Sequence, residues 1–244
     1  MNKDNPIISV LMLTYNHASY IREAIESVLS QETKYSFELI IADDASTDGT
    51  REIIQEYAQK DSRIVLSLQS VNSKVYKNLI DSCGYIRGKY LALCEGDDYW
   101  IDIRKLEKQV GFLEDNPDFT VSTHKVLLKF EGKEENQDPQ YIYKDCNSHD
   151  ERIQKGIFYA DEALANYYFQ TGSLVLRWRF PNGFPEWVEK RMFFDHFMFM
   201  LHASQGKIKY FDEAMSVWRR HEGGTAGCKQ RIRAYFFKKK VQIG

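Results

Sequence analysis

The first half of this chain repeats one unit: a short apolar run, then a longer stretch with apolar residues at helical spacing. Ile7 to Leu13 is an almost unbroken apolar run, as expected of a strand buried on both faces. Ile21, Ala24, Ile25, Val28 and Leu29 then follow the i, i+3, i+4, i+7, i+8 stripe of a helix packed on one side. Phe37 to Ala42, Arg63 to Leu68 and Tyr90 to Cys94 read as three more strands. Between and after them, helices are expected around Ile53, Ile54 and Tyr57, over Tyr76 to Ile86, and around Leu106, Val110 and Leu113. The last of these should stop at Asn116-Pro117, because proline disfavours helix in the residue before it. Such alternation predicts an α/β fold with a mostly parallel sheet and right-handed crossovers. Ligands bind such sheets at the carboxyl ends of the strands. Three strands here end in polar groups: Thr14-Tyr15-Asn16, Asp43-Asp44 and Glu95-Gly96-Asp97-Asp98.

The second half is less regular. Phe119 to Phe130 reads as a long strand, Glu131 to Asp150 as a polar loop region, and Ser173 to Trp178 as a strand. Glu186 to Ala203 reads as a helix, and Lys207 to Arg220 as two short strands. With 244 residues the chain can bury one full α/β core. We expect a ligand-binding α/β half over 1–130, a second section of the same domain over 131–224 and a basic aromatic tail over 225–244. A formal net charge of −2 gives no overall basic field and argues against nucleic acid as partner. The four cysteines form no CxxC pair or zinc spacing, and no signal-peptide pattern is seen, so the cytoplasm is the expected compartment. No eighteen apolar residues run together, so no membrane-spanning helix is expected. The tail, which mixes Lys and Arg with Tyr235, Phe236 and Phe237, offers a basic face for peripheral contact with the inner side of a membrane. A solvated helix face is the commoner outcome for such a segment.

Adjacent carboxylates such as Asp97 and Asp98 repel unless a cation or hydrogen bonds offset them. Mg²⁺ or Mn²⁺ shared with a substrate phosphate is one solution; the plainer one is that an aspartate caps a helix beginning at Tyr99. Asp44, Ser46, Asp48 and Gly49 fit the first half of a calcium loop, but its twelfth position is Gln55 and a strand precedes it, so that reading fails. Asp43 at that strand end is placed to accept hydrogen bonds from a base or ribose, with Ser46, Thr47 or Asp48 capping the next helix. Gly84 to Lys89 lacks the spacing of a phosphate loop, and there is no GxGxxG. Asp195, within Met192 to Phe199, reads either as a general base among apolar neighbours or as a helix cap. His221 reads as a metal or phosphate ligand, or as a structural histidine. Arg219 and Arg220 read as diphosphate partners or as solvated side chains.

In order and spacing, Ile8 to His17, Ala24 to Gln31, Asp43 to Thr50, Gly88-Lys89-Tyr90 and Glu95 to Trp100 resemble the family 2 glycosyltransferases. A weaker resemblance runs on through Gly206-Lys207-Ile208, Asp212-Glu213, Met215 to Val217 and Arg220-His221. The resemblance implies the GT-A fold, a Rossmann-like sheet flanked by helices with a smaller acceptor-side section. It implies inverting transfer from a nucleoside diphosphate sugar, UDP-sugar foremost, to a saccharide or lipid-linked saccharide acceptor in bacterial-type surface polysaccharide or glycolipid synthesis. It places Thr14, Tyr15, Asn16, Asp43, Asp44 and Asn72 in the nucleotide-sugar pocket and Thr171-Gly172-Ser173 near the acceptor. Asp97 would face ribose or share an Mn²⁺ or Mg²⁺ ion, Asp98 would be its direct ligand, His221 would lie near it, and Asp195 would be the base. Two positions depart from the family pattern: Phe194 precedes Asp195 where Gly or Glu is common, and Ser73 follows Asn72 where Gly is usual. The alternatives are a sugar-nucleotide-binding protein without turnover and a nucleotidyltransferase, although Thr14 to His17 lacks the latter's glycine-rich basic loop.

Overall fold

The computed structural model describes residues 5–130, 140–141, 156–166, 169–181, 184, 194–221 and 223–224. Strand β1 (Ile8–Thr14) is buried along its whole length, which explains its apolar run. Helix α1 (Ile21–Leu29) buries Ile21, Ala24, Ile25 and Val28, four of the five stripe residues. β2 (Phe37–Asp43), α2 (Thr50–Lys60), β3 (Ile64–Leu68), α3 (Lys74–Cys83) and β4 (Tyr90–Leu93) continue the alternation. The next element differs from the reading of a helix beginning at Tyr99. Tyr99–Trp100 forms a two-residue strand, β5, paired antiparallel with the last strand, and α4 (Lys105–Asp115) starts later. No aspartate of the 97–98 pair caps a helix. Asn116 leaves the helical region (φ −129°, ψ 84°), in keeping with the proline that follows it.

The remaining described elements are β6 (Phe119–Phe130), β7 (Gln140–Tyr141), β8 (Ile157–Phe158), α5 (Ala160–Asn166), a 3₁₀ turn (Thr171–Ser173), β9 (Val175–Arg177), α6 (Phe194–Ala203) and β10 (Lys207–Arg220). β7 falls within the segment expected as loop. Lys207 to Arg220 is one strand rather than two, because register shifts at Phe211/Ala214 and Ala214/Ser216 absorb extra residues without ending the pairing with β6.

The sheet runs β3-β2-β1-β4-β9-β6-β10-β5, with β7 on β6 and β8 on β10. β1 to β4 are parallel; β9 is antiparallel to both β4 and β6. Alternate strand residues face opposite sides. Val10, Met12, Leu39 and Ile41 pack with α1, α2 and α4, whereas Leu11, Leu13, Ile40 and Ala42 pack with α3, α5 and α6. The loop before β4 lies tight on β1: a side chain at Gly88 would begin 2.5 Å from the Ser9 nitrogen, so only glycine fits. Successive crossovers from β1 go one way to β2 and β3 and the other way to β4. The crevice at such a switch point is the ligand site of open α/β sheets.

Candidate active site

Register brings the strand ends together. Thr14 pairs with Asp43, and Asp43 with Leu68, so β1, β2 and β3 stop at one level. The turn after β4 joins them through Gly96, whose N–H donates to the Leu13 carbonyl at 2.8 Å. A Cβ on Gly96 would lie 2.8 Å from Thr14 Cβ and Oγ1 and 3.0 Å from His17 Nδ1. Glycine is therefore what lets the acidic turn sit directly on the end of β1.

The loops after β1 and β2 are laced together. Asn16 N–H donates to Ser46 Oγ and Thr47 N–H to Asn16 Oδ1, both at 2.9 Å. His17 N–H donates to Thr50 Oγ1 at 2.8 Å and Ala18 N–H to Asp48 Oδ2 at 2.9 Å. Of the three residues expected to cap α2, Asp48 binds the Thr50 N–H, at 3.0 Å. Asn16, Ala45 and Lys74 have φ of 56°, 61° and 73°; they are the non-glycine residues at positive φ among the described residues. Asn16 and Ala45 lie in the loops after β1 and β2, and Lys74 opens α3 at the end of the loop after β3. Ala and Lys there cost roughly 1–2 kcal/mol each, strain of a kind that clusters at functional sites.

Asp43 is fully buried, and its Oδ2 accepts from Arg51 Nε at 2.8 Å with Arg51 Nη2 at 2.6 Å. Asp44, also buried, accepts from Ser73 N–H (2.6 Å) and Ser73 Oγ–H (2.8 Å). Serine after Asn72 thus ties the third loop to β2, while Asn72 Oδ1 accepts from Lys74 N–H at 3.2 Å. Tyr15 stands at the same edge and is 42% exposed.

Asp97, His17 and His221 converge: the Asp97 Oδ2 is 3.0 Å from His221 Nε2 and 3.7 Å from His17 Nε2. One donor atom from each of the three lies within 4.8 Å of the others. His17 Nδ1 and Thr14 Oγ1 are buried with no hydrogen-bond partner. Burial lowers the His17 pKa and the nearby Asp97 carboxylate opposes it, so its ring is held toward the neutral form that binds metals. His221 also packs on the Tyr20 ring, centroids 4.6 Å apart. A carboxylate and two imidazoles fit Mn²⁺ better than Mg²⁺, which favours oxygen ligands alone.

Asp98 lies outside that cluster. Its Oδ1 accepts from Arg219 N–H at 2.8 Å and its Oδ2 from Gln170 Nε2–H at 2.9 Å. Burial, then the Asp97 carboxylate, pushes its carboxyl well above the usual carboxylate range. Arg219 is buried; it donates to the Asp97 carbonyl at 2.9 Å and pairs with Glu23, contacts within the protein rather than in solvent. Asp195 falls in the first turn of α6; its side chain lies outside the described residues, as does the tail over 225–244. Thr171 to Ser173 form the 3₁₀ turn just after Gln170.

Site residues not singled out from sequence are His17, Arg51 and Gln170. His17 closes the Ile8 to His17 motif, and Arg51 follows Asp48-Gly49-Thr50. Gln170 carries no local signal, because its role depends on a contact 72 residues away.

Residues 9–183 match the model of Glycosyl transferase family 2, and the chain belongs to that family. An uncharacterized protein of Mycobacterium tuberculosis is 38% identical over 219 residues, 89% of this chain and 60% of that one. This chain therefore spans about 60% of the length of such curated relatives. S. aureus TarS 1-349 in complex with UDP-GlcNAc superposes with a TM-score of 0.61 at 22% identity, over 91% of this chain and 60% of that one. The mannosyltransferase PcManGT from Pyrobaculum calidifontis, in complex with GDP-Man and Mn²⁺, gives a TM-score of 0.66 at 16% identity, over 99% of this chain and 66% of that one. At these identities the likeness establishes the fold, which is the GT-A fold. Among the described residues, no helix is long and apolar enough to cross a membrane.

Proposed function

We propose that this chain transfers a sugar, with inversion, from a UDP-sugar to an acceptor hydroxyl, using Mn²⁺ held by Asp97, His17 and His221. The observation that carries the proposal is the Asp97 carboxylate set between two imidazoles at the sheet's switch point. A bound uridine donor in one structural neighbour, and Mn²⁺ with a guanosine donor in another, support the donor class and the metal.

In this reading Thr14, Tyr15, Asn16, Asp44 and Asn72 line the nucleotide pocket. Asp43, fixed by Arg51, accepts from the base, and the exposed Tyr15 ring offers a stacking face. Mn²⁺, when bound, supplies positive charge where negative charge develops on the departing diphosphate. Asp195 removes the proton from the acceptor hydroxyl; that oxygen bonds to the anomeric carbon as the carbon–diphosphate bond breaks. The base contributes about 10²–10⁴-fold in typical enzymes. The acceptor is a saccharide or lipid-linked saccharide of surface polysaccharide or glycolipid synthesis, on the cytoplasmic side, with the basic tail resting on the membrane.

The test is a screen of nucleoside diphosphate sugars with Mn²⁺ and Mg²⁺, reading release of nucleoside diphosphate. UDP release with Mn²⁺ is expected, and Asp195→Asn should abolish transfer while keeping donor binding. Donor binding without sugar release would mark a binding protein instead, and pyrophosphate release a nucleotidyltransferase.

A further inference from the structure

We infer that Asp98 and Gln170 are positioning residues: together they clamp the backbone of Arg219 and so set His221 against Asp97. The inference rests on the metal reading above and concerns how this chain builds that site. Both Asp98 oxygens are engaged, one by the Arg219 amide and one by the Gln170 amide, and Asp98 is 3% exposed. A metal on either oxygen would have to displace one of those buried bonds.

Arg219 is held from several sides at once. Beyond its N–H on Asp98, its Nη1 donates to the Asp97 carbonyl at 2.9 Å, and its guanidinium lies 4.3 Å from the Tyr99 ring centroid. The turn bearing both aspartates is thereby stapled to β10, and His221 follows two residues on, Nε2 3.0 Å from Asp97 Oδ2. Gln170 is anchored in turn. Ser173 Oγ donates to its carbonyl at 2.6 Å, Thr123 Oγ1 meets Ser173 Oγ at 2.7 Å, and Gln109 Nε2 donates to the Ser173 carbonyl at 3.0 Å. Lys105 Nζ, fully buried, donates to Gln109 Oε1 at 2.7 Å. A continuous buried chain of hydrogen bonds thus runs from α4 through the 3₁₀ turn to the acidic turn. Side chains that support metal ligands in this way typically govern about 10–100-fold in metal affinity.

An amide at position 98 separates the two roles. Its carbonyl still accepts from Arg219, and its NH₂ meets Gln170 once that amide turns to present Oε1, which is buried without a partner. On the full chain, Mn²⁺ affinity is measured by electron paramagnetic resonance and exchange of the Arg219 amide by NMR. Asp98→Ala and Gln170→Met should speed that exchange and weaken Mn²⁺ binding by about tenfold or more, whereas Asp98→Asn should retain most of both. Asp98→Asn losing as much Mn²⁺ affinity as Asp97→Asn would make Asp98 a direct ligand and overturn the inference. So would an Arg219 amide unmoved by Gln170→Met. If the unmodified chain binds no Mn²⁺, the metal reading fails, and Arg219 exchange alone then decides the clamp.

Discussion

Asp97 Oδ2 and His221 Nε2 lie 3.0 Å apart although 124 residues separate them in sequence. The end of β10 thereby closes onto the switch point between β1 and β4, and His17 completes the arrangement from the opposite loop. A carboxylate flanked by imidazoles is a donor set that suits a divalent transition-metal ion.

Asp43 should depend on Arg51 for an ion-pair partner in the interior. The carboxylate is fully buried while the Arg51 side chain is 28% exposed. Arg51→Met leaves that charge without its partner, an expected loss of about 3 kcal/mol in urea unfolding. Adding Asp43→Asn should recover much of the loss, because the uncompensated charge is then gone. Equal instability of the single and double variants would show that Arg51 matters through its packing instead.

Gly96→Ala should disturb the site through geometry alone. The new methyl would overlap Thr14 Cβ, a backbone-fixed atom, and crowd His17 Nδ1. Expected are a loss of about 1–3 kcal/mol in stability from overpacking and weaker Mn²⁺ binding as His17 shifts. Unchanged Mn²⁺ affinity in a folded Gly96→Ala protein would remove His17 from the ligand set.

Much of this was legible in sequence, and what was not has a physical cause. Strand and helix periodicity located β1 to β4 and α1 to α4, because fully buried strands and one-sided helices impose their own patterns. Phe119 to Phe130 was recovered end to end. Tyr99-Trp100 was missed as a strand because two residues carry no period, and pairing with β10 defines it. Lys207 to Arg220 reads as two strands in sequence but forms one, because the bulge that leaves Asp212 and Glu213 exposed breaks the alternation without ending the pairing with β6. Within the site, the acidic turn and the strand-end loops were visible as motifs. Which aspartate faces the histidines was not, since Asp97 and Asp98 differ only in what the distant Gln170 and Arg219 do.

Acid should unfold the protein partly through His202. Burial pushes its pKa down to about 4 from the usual 6.5, with Nδ1 against the Met198 carbonyl and the ring stacked on Trp178. The unfolded chain therefore binds the proton first as pH falls. Stability from this group is complete above pH ~6.5 and is lost progressively toward pH ~4, amounting to about 3 kcal/mol. Urea unfolding across that range should show the decline, and His202→Phe should flatten it. An identical acid limb in the variant would place the proton uptake elsewhere.

The Mn²⁺ affinity of the full chain and of Asp97→Asn, measured calorimetrically with and without UDP, tests the proposed metal site itself. UDP should tighten Mn²⁺ binding to the unmodified chain, and Asp97→Asn should weaken it by about tenfold or more, as expected for loss of a charged ligand. Equal Mn²⁺ affinity of the two proteins in the presence of UDP would contradict that site.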